Sequence, residues 1–289
     1  MIKSYNRKSV IETFKGRDIP GLIKLSASVG WDYDKDEIQT IMSSGEVYGY
    51  KNDEGRIVSS AAIIPYGSNL ASIGMVIVHQ DYRGQGLGKE LTQACLDSVS
   101  KNTAVILIAT EEGTPMYESM GFKYTDCVHK YLCDNYVPRM LDDILEVEIL
   151  PMRKEDLPQV VKLDKDAFGA ERREFISNRI NQAKESLVVK NPDGIIIGYG
   201  LSILGPINLI LGPIVAPDHH AAFALLNRLA RNHQGNLRID IPSGNDAFMA
   251  HLEKSNFTKV SQPPIMIKNS NLLPPRSKTL YGIAAQIFG

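Results

Sequence analysis

The sequence predicts a mixed α/β (α+β) sheet fold built twice in tandem, and three observations predict it. An apolar stretch, Ala71 to His79, runs into a glycine-rich turn, Arg83-Gly84-Gln85-Gly86-Leu87-Gly88-Lys89, and on into a helix. Around that unit, helical and strand patterns follow one another as two helices, a hairpin, a strand, a helix, a strand, a helix and a strand. The third observation is self-similarity: Asp18-Ile19-Pro20-Gly21-Leu22-Ile23-Lys24-Leu25 is echoed 138 residues later by Asp156-Leu157-Pro158-Gln159-Val160-Val161-Lys162-Leu163. Lys51-Asn52-Asp53-Glu54-Gly55 matches Lys190-Asn191-Pro192-Asp193-Gly194, Gly74 matches Gly212, and Met120-Gly121-Phe122 matches Ser255-Asn256-Phe257. Matches in one order at a nearly constant offset divide the chain into a first copy, 1–134, a linker, 135–146, and a second copy, 147–289.

In the first copy, Asp18 reads as an N-cap, with Pro20 in the first turn of a helix whose Ile19, Leu22, Ile23 and Val29 share a face. A second helix starts at Asp34, with Glu37 three residues on as in a capping box, and ends before Gly45. Val47 to Lys51 and Arg56 to Ile64 flank the turn Asn52-Asp53-Glu54-Gly55 as a hairpin, and Ala71 to His79 makes the next strand. After the glycine turn, Leu87, Leu91, Ala94, Cys95 and Val99 fall at helical spacing, with Lys89, Glu90, Gln93 and Asp97 opposite. Ala104 to Ala109 is uniformly apolar, so it reads as a central strand buried on both faces. A short helix through Tyr117 and Glu118 ends at Gly121, and a strand follows near Cys127 to Cys133. The tail from Lys278 to Phe288 is moderately apolar and reads as a final helix.

Composition narrows the function classes. The chain has 289 residues, 43% hydrophobic and 22% charged, enough for a sizeable core. Lys and Arg number 32 against 33 Asp and Glu, so no general polyanion-binding surface and no nucleic-acid partner are expected. Three cysteines, an odd number in a long chain, argue against a disulfide scaffold and for a reducing, cytoplasmic compartment. Met1 to Lys8 has no apolar run behind its charges, and no segment approaches the roughly 18 apolar residues of a membrane span, so no secretory signal and no membrane partner are expected.

The glycine turn is built to hold an anion. Without Cβ atoms at 84, 86 and 88, successive N–H groups can converge on phosphate oxygens at a helix start, where the dipole is favourable. A P-loop would need Ser or Thr after Gly88-Lys89, where Glu90 stands. The dinucleotide fingerprint fails because only Leu87 separates Gly86 from Gly88. What remains, Arg83-x-x-Gly86-x-Gly88 after a strand, resembles the signature of the GNAT superfamily of N-acetyltransferases, and the element order is that of the same acyl-coenzyme A N-acyltransferase fold.

The resemblance implies acetyl-coenzyme A as cosubstrate, its pyrophosphate held by Arg83, Gly84, Gln85, Gly86, Leu87, Gly88 and Lys89. It also implies a strand that splays from its neighbour, leaving the backbone of Val76, Ile77 and Val78 to pair with the pantetheine arm. Tyr117, in Tyr117-Glu118-x-x-Gly121-Phe122, fills the position of the acid that protonates the departing thiolate, and a phenol of pKa about 10 carries its proton at neutral pH. Thr110, where many relatives have asparagine, and Thr114 are further coenzyme contacts. In the second copy, Ile207 to Ala216 leads into Pro217-Asp218-His219-His220-Ala221-Ala222-Phe223, which has no glycine, and Leu252 stands where the first copy has Tyr117. That copy resembles a degenerate GNAT domain, and the pair resembles bacterial two-domain acetyltransferases.

The remaining chemistry is less marked. Relatives often use a glutamate near the strand before the loop as base, but Ala71 to Val78 has no carboxylate. Glu46, His79, Glu111 and Glu112 are available and none is assigned; a water chain or an amine of low pKa would also serve. Trp31 and Tyr33 lie in a segment that in the family borders the acceptor, and Trp31 either walls that pocket or closes the core. Asp240, in the strand Arg238 to Ile241, either receives a cationic substrate or caps a loop. His219 and His220 have no Cys or carboxylate cluster nearby and adjacent helical side chains point apart, so no metal is expected. Cys127 and Cys133 share one strand face as small core residues.

The expectation is an acetyl-coenzyme A-dependent N-acetyltransferase acting by direct attack of a primary amine of a small metabolite. No cysteine is placed as a nucleophile. A protein or peptide amine is the alternative acceptor if the cleft is an open groove rather than covered by the second copy. A non-catalytic acyl-coenzyme A sensor fits the same glycine loop.

Overall fold

Period-two and period-3.6 apolar patterns become strands and helices in the same order in both halves of the computed structural model, which describes residues 10–139 and 147–289. The first half runs β1 (Glu12–Thr13), α1 (Ile19–Ala27), α2 (Lys35–Ser44), β2 (Glu46–Lys51), β3 (Ile57–Tyr66), β4 (Leu70–Val78), α3 (Leu87–Asp97), β5 (Ala104–Ile108), α4 (Thr114–Ser119) and β6 (Lys123–Cys133). The second runs β7 (Glu148–Pro151), α5 (Leu157–Phe168), α6 (Arg173–Gln182), β8 (Glu185–Lys190), β9 (Ile196–Leu204), β10 (Asn208–Val215), α7 (His219–Ala230), β11 (Asn236–Pro242) and α8 (Asp246–Lys254). Three strands follow: β12 (Thr258–Ser261), β13 (Pro264–Lys268) and β14 (Leu280–Gly282). Of the expected linker, residues 140–146 lie outside the described residues, as does the N-terminal stretch Met1 to Lys8. Among the described residues no helix is long and apolar enough to cross a membrane.

The sequence repeat recurs as repeated hydrogen bonds. Asn52 Oδ1 accepts from the Arg56 N–H at 2.9 Å, and Asn191 Oδ1 accepts from the Ile195 N–H at 2.8 Å, closing the same hairpin turn. Asp18 and Asp156 also match: each holds the N-cap position of its helix, α1 and α5, but its side chain makes no bond to the helix. Each carboxylate turns back to a preceding N–H, that of Lys15 at 2.9 Å and of Arg153 at 2.8 Å, because the short 3₁₀ turn before each helix brings that donor closer. Asp34 does cap α2, accepting from the Glu37 N–H at 2.8 Å.

The main path of the sheet runs β1-β2-β3-β4-β5-β13-β6-β11-β10-β9-β8-β7, with β12 on β6 and β14 on β10. The halves exchange strands. β13 inserts between β5 and β6 and pairs antiparallel with both. The far part of β6 pairs with β11 and β12 of the other half. At 11 residues β6 is long enough to serve both halves, so neither closes its sheet with its own strands.

Within the first half, β4 and β5 pair in parallel only over Leu70–Ile73. Beyond that point β4 turns away, with Met75 at φ 51° and a register shift against β3. Ile77 and Val78 keep their partners Ser60 and Ser59 on β3, while their other edge faces no strand among the described residues.

The C-terminal tail is not the expected helix. After β14, its carbonyls are taken by side chains from both halves: Arg179 donates to Ala284 O at 2.8 Å, Ser72 to Ile287 O at 2.9 Å and Tyr66 to Phe288 O at 2.7 Å. These bonds replace the i−4 bonds a helix would make. Ile283, Ile287 and Phe288 are buried in the seam, and a Cβ on Gly74 would come within 2.9 Å of the Ile287 Cα. Two buried arginines fasten the same region. Arg172 donates to both oxygens of Asp164 at 2.8 and 2.9 Å, and Arg179 donates to Glu37 and, at 2.9 Å, to Gln182.

Candidate active site

The glycine loop forms an open cradle at the start of α3. Gly84 and Gly86 adopt φ 76° and 84°, a conformation glycine takes at no steric cost. A Cβ at Gly84 would meet nothing within 4 Å, and one at Gly86 only the Glu90 Oε1 at 3.9 Å, so the concavity is empty of protein. The first amides of α3 have no intrahelical acceptor and carry the positive end of the dipole. These features fit the pyrophosphate of acetyl-coenzyme A. Gly88 is buried within the first turn of α3, where a Cβ would make only ordinary contacts, 3.4 Å from the Met116 Sδ and 3.5 Å from a Val78 methyl. Leu87 is buried beneath the loop, whereas Lys89 is exposed and Arg83 reaches Glu112 in an exposed ion pair of 2.9 Å.

The equivalent helix start in the second half is closed to a phosphate. Asp218 caps α7, its carboxylate accepting from the Ala221 N–H at 2.8 Å, so a negative charge stands there. His219 and His220 do not diverge as adjacency suggested. Both lean toward α8, with ring centroids 4.0 Å apart and that of His251 at 5.7 and 6.4 Å. One ring nitrogen from each of the three lies within 4.8 Å of the others and could take a metal ion, but the positive end of α7 and Lys254 act against a cation. The three cysteines are free and buried.

A cavity of about 930 Å³ opens where β4 and β5 part, walled by both halves. From the first half come Trp31, Asp32 and Tyr33 of the α1–α2 loop, Gly74 and Met75 of β4, and Thr110, Glu111 and Thr114 after β5. The second half and the shared strand supply Lys130, Arg238, Gln286 and Ile287. Ser26 fixes the α1–α2 loop, donating to Trp31 O at 3.0 Å and accepting from the Tyr33 N–H at 3.3 Å. Trp31 packs against the core and also lines the cavity. Of the four candidate bases, Glu111 alone lines the cavity. Glu46 holds Tyr48, His79 holds Arg56 at 2.8 Å and Glu112 holds Arg83.

Tyr117 does not line the cavity. It lies one turn behind, 7% exposed, with Met116 touching the α3 start and Thr114 on the cavity wall. Gly113 makes room for it: a Cβ there would come within 3.2 Å of the Tyr117 ring and 3.1 Å of the Thr110 Oγ1. Burial, with Cys95 nearby, pushes the phenol above its ordinary pKa, which keeps it protonated.

Asp240 is engaged by protein. It is 1% exposed, and its two oxygens accept from Arg238 Nε and Gln286 Nε2, each at 2.7 Å. Buried in this way it is out of reach of a substrate cation, and Arg238 and Gln286 face the cavity in its place. Lys130 and Met75 were also missed. Lys130 carried no distinctive local signal in a strand that also holds Lys123, Asp126 and His129, and the Met75 bulge is revealed only by strand pairing.

The chain matches two models described as acetyltransferase (GNAT) domains, one over residues 31–130 and one over 160–282. It is 36% identical over 272 residues, 94% of this chain and 95% of the relative, to the Bacillus subtilis (strain 168) protein named Uncharacterized N-acetyltransferase YitH. In fold it resembles a Pyrococcus horikoshii protein assigned as an acetyltransferase, with a TM-score of 0.82 at 19% identity over 99% of this chain and 98% of that one. A tandem GNAT protein of the clavulanic acid biosynthesis pathway superposes with a TM-score of 0.66 at 13% identity over 90% of this chain and 98% of that one. The two models cover successive halves of one chain, and the B. subtilis relative matches it along nearly its whole length. The chain is a two-domain member of the GNAT family of N-acetyltransferases, enzymes that use acetyl-coenzyme A as cosubstrate.

Proposed function

We propose that the protein acetylates the primary amine of a small molecule held in the cavity between its halves, by direct attack, with Tyr117 as general acid. The observation that carries this reading is the cavity: both halves wall it, as suits a small acceptor better than an extended peptide. Acetyl-coenzyme A supplies an activated acyl group when bound. The residues present fit it, with the α3 start for its pyrophosphate and, for its pantetheine arm, the edge of Val76, Ile77 and Val78 that no strand pairs among the described residues.

In this reading the amine lone pair attacks the acetyl carbon, the carbon–sulfur bond breaks, and the thiolate takes the Tyr117 proton. The proton shed by the amine passes to solvent. A backbone N–H of the β4 edge polarises the carbonyl. Thr114, on the same helix as Tyr117, and Thr110 before it line the cavity. Free-thiol release across a panel of amines tests the proposal. Acetyl-coenzyme A binding without acceptor-dependent thiol release would overturn it in favour of a sensor.

A further inference from the structure

We propose that the cavity selects an acceptor carrying an anionic group, a carboxylate or a phosphate, in addition to its reacting amine, and that Lys130 and Arg238 hold that anion. The inference rests on the acetyl-transfer reading above and names the class of acceptor.

β6 and β11 run antiparallel with Lys130 directly opposite Asp240, and Arg238 is two residues from Asp240 on its own strand. Side chains paired across strands, or two apart along one, share a face. Lys130, Asp240 and Arg238 therefore stand together, and Lys130 and Arg238 line the cavity.

Asp240 satisfies only part of this charge. It binds Arg238 through Nε, while its other oxygen is taken by Gln286. The two terminal NH₂ groups of Arg238 donate to no described residue, although a guanidinium offers five N–H donors. The Lys130 side chain is half-buried, and its ammonium makes no hydrogen bond or ion pair with a described side chain. Burial, and next the charge of Arg238, lower its pKa. Two neighbouring cations drawn partly out of water are unfavourable without a counter-charge.

The cavity's carboxylates do not supply it. Glu37 is occupied by Arg179 and Gln182, and Asp34 by the Glu37 N–H. Asp32 faces both cations electrostatically but makes no ion pair with either among the described residues. Glu111, beside Thr110 after β5, also lines the cavity and makes no ion pair with either cation among the described residues. Despite Asp240 and Asp32 nearby, the Lys130 ammonium and the terminal NH₂ groups of Arg238 are donors on the cavity wall that no described side chain takes, which suits an anionic group on the acceptor.

The test is steady-state thiol release with matched amines, an amino acid against its amide and an amino-alcohol phosphate against the free alcohol, on wild type, Lys130→Met and Lys130→Arg. Within whichever pair is a substrate, the anionic member should be preferred. Lys130→Met should raise its KM at least about tenfold, with a smaller change in kcat, while the neutral member is little affected. Lys130→Arg should retain most of the preference. Comparing the two pairs separates carboxylate from phosphate. Equal use of charged and neutral members, or a KM unmoved in Lys130→Met, overturns the inference while leaving acetyl transfer intact. If no amine supports thiol release although acetyl-coenzyme A binds, the acetyl-transfer reading fails instead. The anion site is then read from melting temperature: selective stabilisation of wild type over Lys130→Met by an anionic amine supports it, and none overturns it.

Discussion

Leu252 holds in the second half the place that Tyr117 holds in the first. The Phe122 N–H donates to the Tyr117 carbonyl at 3.0 Å, and the Phe257 N–H donates to the Leu252 carbonyl at 3.0 Å. The turns between them carry Gly121 at φ 85° and Asn256 at φ 70°. The same backbone forms with and without the phenol, so its hydroxyl is dispensable for the fold.

Replacing Tyr117 by Phe should therefore lower kcat about a hundredfold while coenzyme affinity and melting temperature stay close to wild type. Because burial raises the phenol pKa, the proton is held more tightly, and wild-type kcat should show no alkaline decline from this group below about pH 10. Unchanged turnover in the Phe variant would remove Tyr117 from the mechanism.

Gly86 sits at φ 84° with open space before it. Alanine there costs about 1 kcal/mol or more of backbone strain and puts a methyl group at the cradle, so acetyl-coenzyme A should bind at least about tenfold more weakly. Titration calorimetry measures this directly, and Gly55→Ala, at a hairpin φ of 76°, controls for strain alone.

Coenzyme stoichiometry should be one per chain, because Asp218 places a carboxylate at the start of α7 where α3 leaves an opening. Two equivalents in the same titration would show that the second half also binds.

Arg172 is buried against Asp164, with Tyr199 donating to the same carboxylate. Arg172→Met strands that charge and should cost about 3–5 kcal/mol in urea denaturation, whereas removing both charges with Asp164→Leu should cost less than the single change predicts.

Deleting residues 283–289 removes Ile283, Ile287 and Phe288 from the seam and the Gln286 partner of Asp240. At about 1.5–3 kcal/mol for each buried apolar side chain, the melting temperature should fall by about 5 °C or more. A melting temperature that stays put would mean the tail is not part of the core.

Local periodicity and turn chemistry made most of the elements legible. Leu87, Leu91 and Cys95 repeat at helical spacing and are buried on one face of α3, and Asn52 and Asn191 close matching turns. The repeat also located Leu252, because an offset in sequence survives as an offset in structure. The tail was misread because its apolar content is helix-like, while its carbonyls are claimed by Tyr66, Ser72 and Arg179 from far along the chain.

By itself the sequence determined two copies of one mixed α/β fold, a glycine cradle in the first copy and its loss in the second, since all of these are properties of short stretches. Only the tertiary structure decided that β13 completes the first sheet and β6 the second, because strand pairing joins backbone edges and leaves no local pattern. It also decided that Arg238 and Lys130, rather than Asp240, face the cavity. That depended on the hydrogen bond Gln286 donates to Asp240 from 46 residues away, a contact no spacing rule records.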